Sequence, residues 1–235
     1  MYILGISAFF HDASAAIFKD GRLIAAIEEE KLSRIKHDYG FPSKAIQFCL
    51  EEANISSKDL EYVVFYEKPF VKFDRILKTV IWGFPKTFKL FQQSMTGWLF
   101  DKLWVSSLIQ SELDVERKKI VFSNHHLSHA ASSYFCSPFE KSAIVTFDGV
   151  GEWATTTISE GNKNNITMQK ELTFPHSLGL IYSVFTAFLG FEINEGEYKV
   201  MGMAPYGKPN YVEKVRKVIK SNKDGSFTVN KKYIS

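Results

Sequence analysis

Cysteine is scarce in this sequence. Cys49 and Cys136 are the only two in 235 residues, far apart, and they define neither a disulfide framework nor a zinc knuckle. A reducing, cytoplasmic setting is therefore expected. Long apolar runs are missing too: no stretch reaches the roughly 18 uncharged apolar residues of a membrane-crossing helix, so no membrane partner is expected. The opening run Met1–Ile6 is broken by Gly5 and soon followed by His11 and Asp12, which is unlike a signal peptide. Charge of one sign is not concentrated either. With 29 Lys+Arg against 26 Asp+Glu, a net charge of +3 and no basic block, the chain lacks the electrostatic footprint of a nucleic-acid binder. What remains is 45% hydrophobic and 23% charged, close to the globular average, which excludes a disordered tail or a fibre. The length allows one large domain or two small ones.

Aromatic residues make up 15% of the chain and crowd into positions 63–104, among them Phe70, Phe73, Trp82, Phe84, Phe88, Phe91, Trp98, Phe100 and Trp104. A helical insert at about 71–112 is predicted, packing on a core or on a second copy in a homodimer. Before it, the pattern reads as strands: Tyr2–Ile6, Ala13–Phe18, a tight turn at Asp20-Gly21, and Leu23–Ile27. Pro42-Ser43 then opens a helix with Ile46, Cys49, Leu50 and Ala53 on one face. Tyr62–Phe65 and Ile120–Ser123 read as strands, and His126–Phe135 as a helix. The opening pattern then restarts. Ala143–Phe147, a glycine turn at Asp148-Gly149-Val150-Gly151, Trp153–Ser159 and Ile166–Glu171 repeat strand, turn, strand, strand. A first subdomain over 1–141 and the start of a second over 142–235 are expected. A glycine-bearing turn between paired strands can offer backbone N–H groups to a phosphate. Gly149 and Gly151 are candidates for that role, and two such units facing each other would make a nucleotide cleft.

Five elements could carry chemistry. In Asn124-His125-His126-Leu127-Ser128-His129, His125 and His129 stand one helical turn apart, with Cβ atoms about 6 Å apart. That is the spacing two imidazoles need to share a metal, and Asp148 at a strand end could add a carboxylate. Such a set suits Fe2+, Zn2+ or Mn2+; the alternative is a polar helix start with incidental histidines. His11-Asp12 precedes small residues, where a histidine could donate or accept a proton. Arg34, Lys36 and His37 form a basic loop able to contact a phosphate or carboxylate, and equally able to be a solvated surface. Residues 195–207, with Glu197, Lys199 and Gly202, lack apolar periodicity and read as a loop in contact with nucleotide. Pro175-His176-Ser177-Leu178-Gly179 precedes an apolar helix. All six histidines fall inside these five elements.

Taken in order, these stretches resemble the N-terminal part of the O-carbamoyltransferases of nodulation-factor and antibiotic biosynthesis. The resemblance rests on Gly5-Ile6 with His11-Asp12-Ala13-Ser14-Ala15, then Glu28–Lys31 with Arg34, Lys36-His37-Asp38 and Phe41-Pro42. It continues through His125-His126 with His129-Ala130, Phe147-Asp148-Gly149, Pro175–Gly179, and Gly196–Lys199 with Met201-Gly202 and Ala204–Gly207. The family is related to the tRNA threonylcarbamoyl-transferring proteins.

The resemblance implies an α/β fold of the actin/sugar kinase/heat-shock ATPase kind, with duplicated βββαβα units, the second incomplete. It implies carbamoyl transfer to a hydroxyl of a small-molecule or sugar acceptor. The donor would be carbamoyl adenylate, made from carbamoyl phosphate and ATP in a C-terminal adenylating domain that these residues do not include. His125, His129 and Asp148 become metal ligands, Fe2+ foremost, with a further aspartate ligand expected beyond residue 235. His11 and Asp12 become catalytic, and Arg34, Lys36, His37 and His126 substrate-binding. Gly149, Gly151, Glu197, Lys199 and Gly202 would hold the nucleotide. An incomplete site, without full turnover alone, is the expectation. A threonylcarbamoyl-type tRNA modification component and a non-catalytic nucleotide-binding module of the same fold are the alternatives.

Overall fold

The structure is a computed structural model that describes residues 1–89, 91–92 and 102–233. It forms two compact units, Met1–Ser128 and His129–Ser235. The first contains β1 (Tyr2–Ser7), β2 (Ser14–Lys19), β3 (Arg22–Glu28), α1 (Glu29–Ser33), α2 (Ser43–Glu52), β4 (Leu60–Phe65), α3 (Pro69–Gly83), α4 (Val105–Leu113) and β5 (Ile120–Phe122). Helix α5 (His125–Tyr134) starts in this unit and runs into the next.

Five strands make one sheet in the order β3-β2-β1-β4-β5. The first three are antiparallel, whereas β4 lies parallel to β1 and β5 parallel to β4. The β2–β3 hairpin closes as its sequence predicts: Lys19 pairs with Arg22 across Asp20-Gly21, both at positive φ. Leu4 and Ile6 of β1, Ile17 of β2, and Val63 and Phe65 of β4 bury with Ile46 and Cys49 of α2 and Val105 and Ile109 of α4. The helical period of 43–53 is thus what seats α2 on the sheet. The N-terminus of α2 has no side-chain cap of its own. Buried Glu29 supplies one from α1, accepting from the backbone N–H groups of Lys44 and Ala45 at 3.2 and 2.7 Å.

The second unit contains β6 (Lys141–Phe147), β7 (Ala154–Asn162), β8 (Asn165–Thr173), α6 (Leu178–Phe188), α7 (Glu197–Met203), α8 (Val212–Val218), β9 (Ile219–Ser221) and β10 (Phe227–Val229). Strands β6-β7-β8 form an antiparallel sheet, and β9 pairs with β10. Ala130 and Tyr134 of α5 pack on Ile144 of β6. Tyr134 lies so close to Gly161 that a Cβ there would sit 2.5 Å from the ring. The Tyr134 hydroxyl also donates to the Glu140 carbonyl at 2.7 Å.

The elements are those of a mixed α/β protein in which three antiparallel strands are twice followed by helices, β1-β2-β3 by α1 and α2, and β6-β7-β8 by α6, α7 and α8. The units divide after Ser128, and the later turns of α5 pack on β6. Of the aromatic insert, residues 90 and 93–101, with Trp98 and Phe100, lie outside the described residues; α3 and α4 flank them. The loop predicted over 195–207 is corrected to helix α7 followed by a 3-10 turn at Ala204–Tyr206. None of the residues of α7 is buried, so it needs no apolar stripe, and its sequence shows none. Among the described residues, no helix is long and apolar enough to cross a membrane.

Candidate functional site

Because β1, β4 and β5 run parallel, their C-terminal ends meet at one edge of the first sheet. In α/β sheets that edge is where ligands bind. The loop after β1 carries His11 and Asp12, the turn after β4 carries Glu67, and β5 leads through Ser123 and Asn124 into His125. The loop after β1 is tied to residues 38–39 by Phe9 N–H donating to the Tyr39 carbonyl and Ala13 N–H to the Asp38 carbonyl, both at 2.7 Å. Two stretches that read as separate clusters are thereby one.

Within it, Asp12 stands between two imidazoles, Oδ2 3.0 Å from Nδ1 of His11 and Oδ1 2.8 Å from Nδ1 of His37. Burial pushes the Asp12 carboxyl up, but its bonds to His37 and His11 outweigh that and hold it below the ordinary range. It is an acceptor, and a carboxylate facing Nδ1 favours the proton on that nitrogen of His11. Glu30 accepts from the His37 backbone N–H at 2.9 Å and pairs with Lys31 and Lys36. Those contacts, led by Lys31, lower its carboxyl to about 2. Asp12, Glu30 and His37 bring ligand-type atoms within 4.8 Å of one another. With two lysines already on Glu30, the group is a charge-balanced scaffold around His37.

Glu67 was not legible as a site residue. It is buried, and its carboxylate accepts from buried Lys72 through both oxygens, at 2.9 and 2.8 Å. Oε2 also accepts from Nδ1 of His125 at 3.2 Å. Burial raises the Glu67 carboxyl, but His125 and Lys72 bring it below its ordinary value. The only sequence signal was a charged residue between an apolar strand and a proline-started helix.

Helix α5 carries His125 and His129 one turn apart, and the division of the chain falls between them, inside a continuous helix. His125, His129 and Asp148 each present a ligand atom, all within 4.8 Å of one another. His125 is buried, Asp148 half-buried and His129 exposed.

A clamp holds Asp148 at the end of β6. The fully buried Ser177 hydroxyl donates to the Asp148 and Gly149 carbonyls at 3.1 and 2.6 Å. It also accepts from Leu180 N–H at 3.0 Å, capping α6. At Gly179 a Cβ would lie 2.7 Å from the Asp148 carbonyl oxygen and from the Gly149 nitrogen, so only glycine lets α6 approach this turn. Ser177 and Gly179 belong to the Pro175–Gly179 stretch that carries the family resemblance, but this task depends on the packing of α6 against the turn.

Other expected contacts look different. The Gly149 N–H donates to Asp148 Oδ1 at 2.7 Å and the Gly151 N–H to the Ala154 carbonyl at 3.3 Å, so both amides are engaged within the turn. Glu197 opens α7; burial raises its carboxyl, while Ser183 Oγ at 2.8 Å and the Asn194 N–H at 3.2 Å lower it overall. Lys199 lies 5.8 Å over the Tyr198 ring, and an added Cβ at Gly202 would meet open space. His126 is 1% exposed, buried beside His125. Arg34 is exposed at the end of α1, and Lys36 is exposed on Glu30.

The profile of the carbamoyltransferase N-terminus family matches residues 2–235. The chain belongs to that family. It is 46% identical over 242 residues to the uncharacterised protein sll1178 of Synechocystis, covering 100% of this chain and 39% of that one. It is 37% identical to the nodulation protein NolNO of Sinorhizobium fredii, covering 86% of this chain and 29% of that one. The family member described here therefore spans well under half the length of these relatives. Among solved structures, YeaZ from Pseudomonas aeruginosa is 12% identical with a TM-score of 0.42, covering 74% of this chain and 69% of that chain.

Proposed function

We propose that this chain is the carbamoyl-transfer part of an ATP-dependent O-carbamoyltransferase. It would move the carbamoyl group of carbamoyl adenylate, formed from carbamoyl phosphate and ATP, to a hydroxyl of a small-molecule or sugar acceptor. The observation that supports this most is the convergence of His125, His129 and Asp148. Two imidazoles and a carboxylate fit a divalent ion, Fe2+ foremost, with Zn2+ or Mn2+ compatible with the same donors. Bound there, such an ion supplies Lewis acidity toward the carbamoyl or phosphate oxygens.

The chain's own residues account for the proton. Asp12 orients His11 through Nδ1, so the opposite ring nitrogen can take the proton of the acceptor hydroxyl. The acceptor oxygen then bonds to the carbamoyl carbon, the bond from that carbon to the adenylate phosphate oxygen breaks, and AMP leaves with the electron pair. Lys36 and His37, held by Glu30 and Asp12, flank this loop as contacts for phosphate or carboxylate groups.

The test supplies ATP, carbamoyl phosphate and a panel of hydroxyl acceptors to the full-length protein loaded with Fe2+. A carbamate ester whose formation falls by about 100-fold or more in His11→Ala is expected, the usual scale of a lost general base. AMP release with no carbamate on any acceptor would overturn the reading. Elemental analysis checks the metal separately: His129→Ala should lose it, and unchanged content refutes the assignment.

A further inference from the structure

The imidazole of a metal-ligating histidine works only in one tautomer and one ring orientation, and both are set by what its other nitrogen touches. At His125 that partner is Glu67. Being ionised and acceptor-only, a carboxylate on Nδ1 requires the proton there and leaves the lone pair on Nε2. The Tyr66 ring, 5.6 Å from the His125 ring, borders the same imidazole. The hydroxyl of Ser128, the residue before His129, donates to the Tyr66 carbonyl at 2.8 Å and fastens α5 to the end of β4.

Lys72 completes the arrangement. It occupies both oxygens of Glu67, and its ammonium also lies 5.2 Å over the Phe10 ring, which meets the His11 ring at 4.5 Å. A buried ion pair is a poor way to gain stability, since apolar side chains of similar volume do as well or better. Its use here is directional: one ammonium fixes the carboxylate that aims His125 and touches the loop that holds His11.

We infer that Glu67, held in place by Lys72, is the positioning residue that sets the tautomer and orientation of His125 for metal coordination. This rests on the metal reading above. Two double variants separate the role from mere packing. Glu67→Leu with Lys72→Met removes the pair without stranding a buried charge, and takes away the acceptor on Nδ1. Glu67→Gln with Lys72→Met also removes both charges but keeps an amide oxygen for Nδ1–H.

Each metal-free protein is examined by 15N–1H NMR of the imidazoles, then titrated with Co2+ while its visible absorption is followed. The wild type and the Gln/Met variant are expected to carry the His125 proton on Nδ1. The Leu/Met variant is expected to bind Co2+ about 10–100-fold more weakly, with an altered spectrum, and the Gln/Met variant to recover most of that loss. A wild-type His125 protonated on Nε2 alone overturns the inference without any variant, should the Leu/Met protein fail to fold. Co2+ uptake by the wild type and an equal affinity and spectrum in the Leu/Met variant overturn this inference only. No uptake by the wild type overturns the metal reading and this inference together.

Discussion

β1 and β6 occupy the same place in their two units, each the first strand of an antiparallel run of three, yet their surroundings differ. β1 has β2 on one edge and β4 on the other, and its Leu4 and Ile6 are buried among residues of α2, β4 and α4. β6 has β7 on one edge, and no described strand pairs with the other. Its inward residues, Ile144 and Thr146, are buried, while Val145 and Phe147 are 51% and 60% exposed. The same opening pattern therefore gives a strand embedded on both sides in one unit and a strand with one covered face in the other. The lesson is that alternation encodes which residues form a strand, whereas burial depends on what is later laid against it.

That contrast can be broken or sharpened by experiment. The largest effect is expected in the first unit. Phe65→Ala, at a fully buried position of β4, should cost about 3–5 kcal/mol in urea unfolding. Val145→Ala on the open face of β6 should stay within about 0.5 kcal/mol, as exposed substitutions do. Equal costs would break the comparison. Next comes Gly179→Ala, whose Cβ would press on the Asp148–Gly149 backbone; a loss of about 1–3 kcal/mol is expected, read as a lower Tm. Ser177→Ala removes the α6 cap and the tie to the same turn, for about 1 kcal/mol in thermal unfolding. If neither change lowers stability, the clamp on Asp148 is not one.

The smallest effect concerns pH. Glu30 has its carboxyl lowered from 4.5 to about 2, first by Lys31 and then by the His37 N–H and Lys36. A depressed carboxyl stabilises the folded state above its unfolded value and ceases to as pH falls through the folded one. Wild-type stability should therefore decline between about pH 4.5 and 2 more steeply than that of Glu30→Gln. Parallel acid titrations would show that Glu30 holds nothing in place.

Much of this was readable beforehand because it depends on local spacing. The Asp20-Gly21 hairpin, the apolar face of α2 and the histidine pair of α5 follow from periods of 2 and 3.6 that need no partner. Glu67 was hidden for the opposite reason: its partner His125 is 58 positions away, and only the parallel pairing of β4 with β5 joins them. Helix α7 was misread because an exposed helix carries no apolar signal. That both His125 and His126 are buried was equally hidden, because neighbours on a helix point about 100° apart and their cover is decided by packing alone.

The two thiols provide a practical handle. Cys49 lies in the core with its thiol pushed by burial up to about 11, while Cys136, just past the end of α5, is exposed. A maleimide dye at neutral pH should mark Cys136 alone in the native chain, placing a fluorophore just beyond the helix that carries both candidate imidazoles. Labelling at Cys49 would then clock the opening of the first sheet, with no engineered residue required.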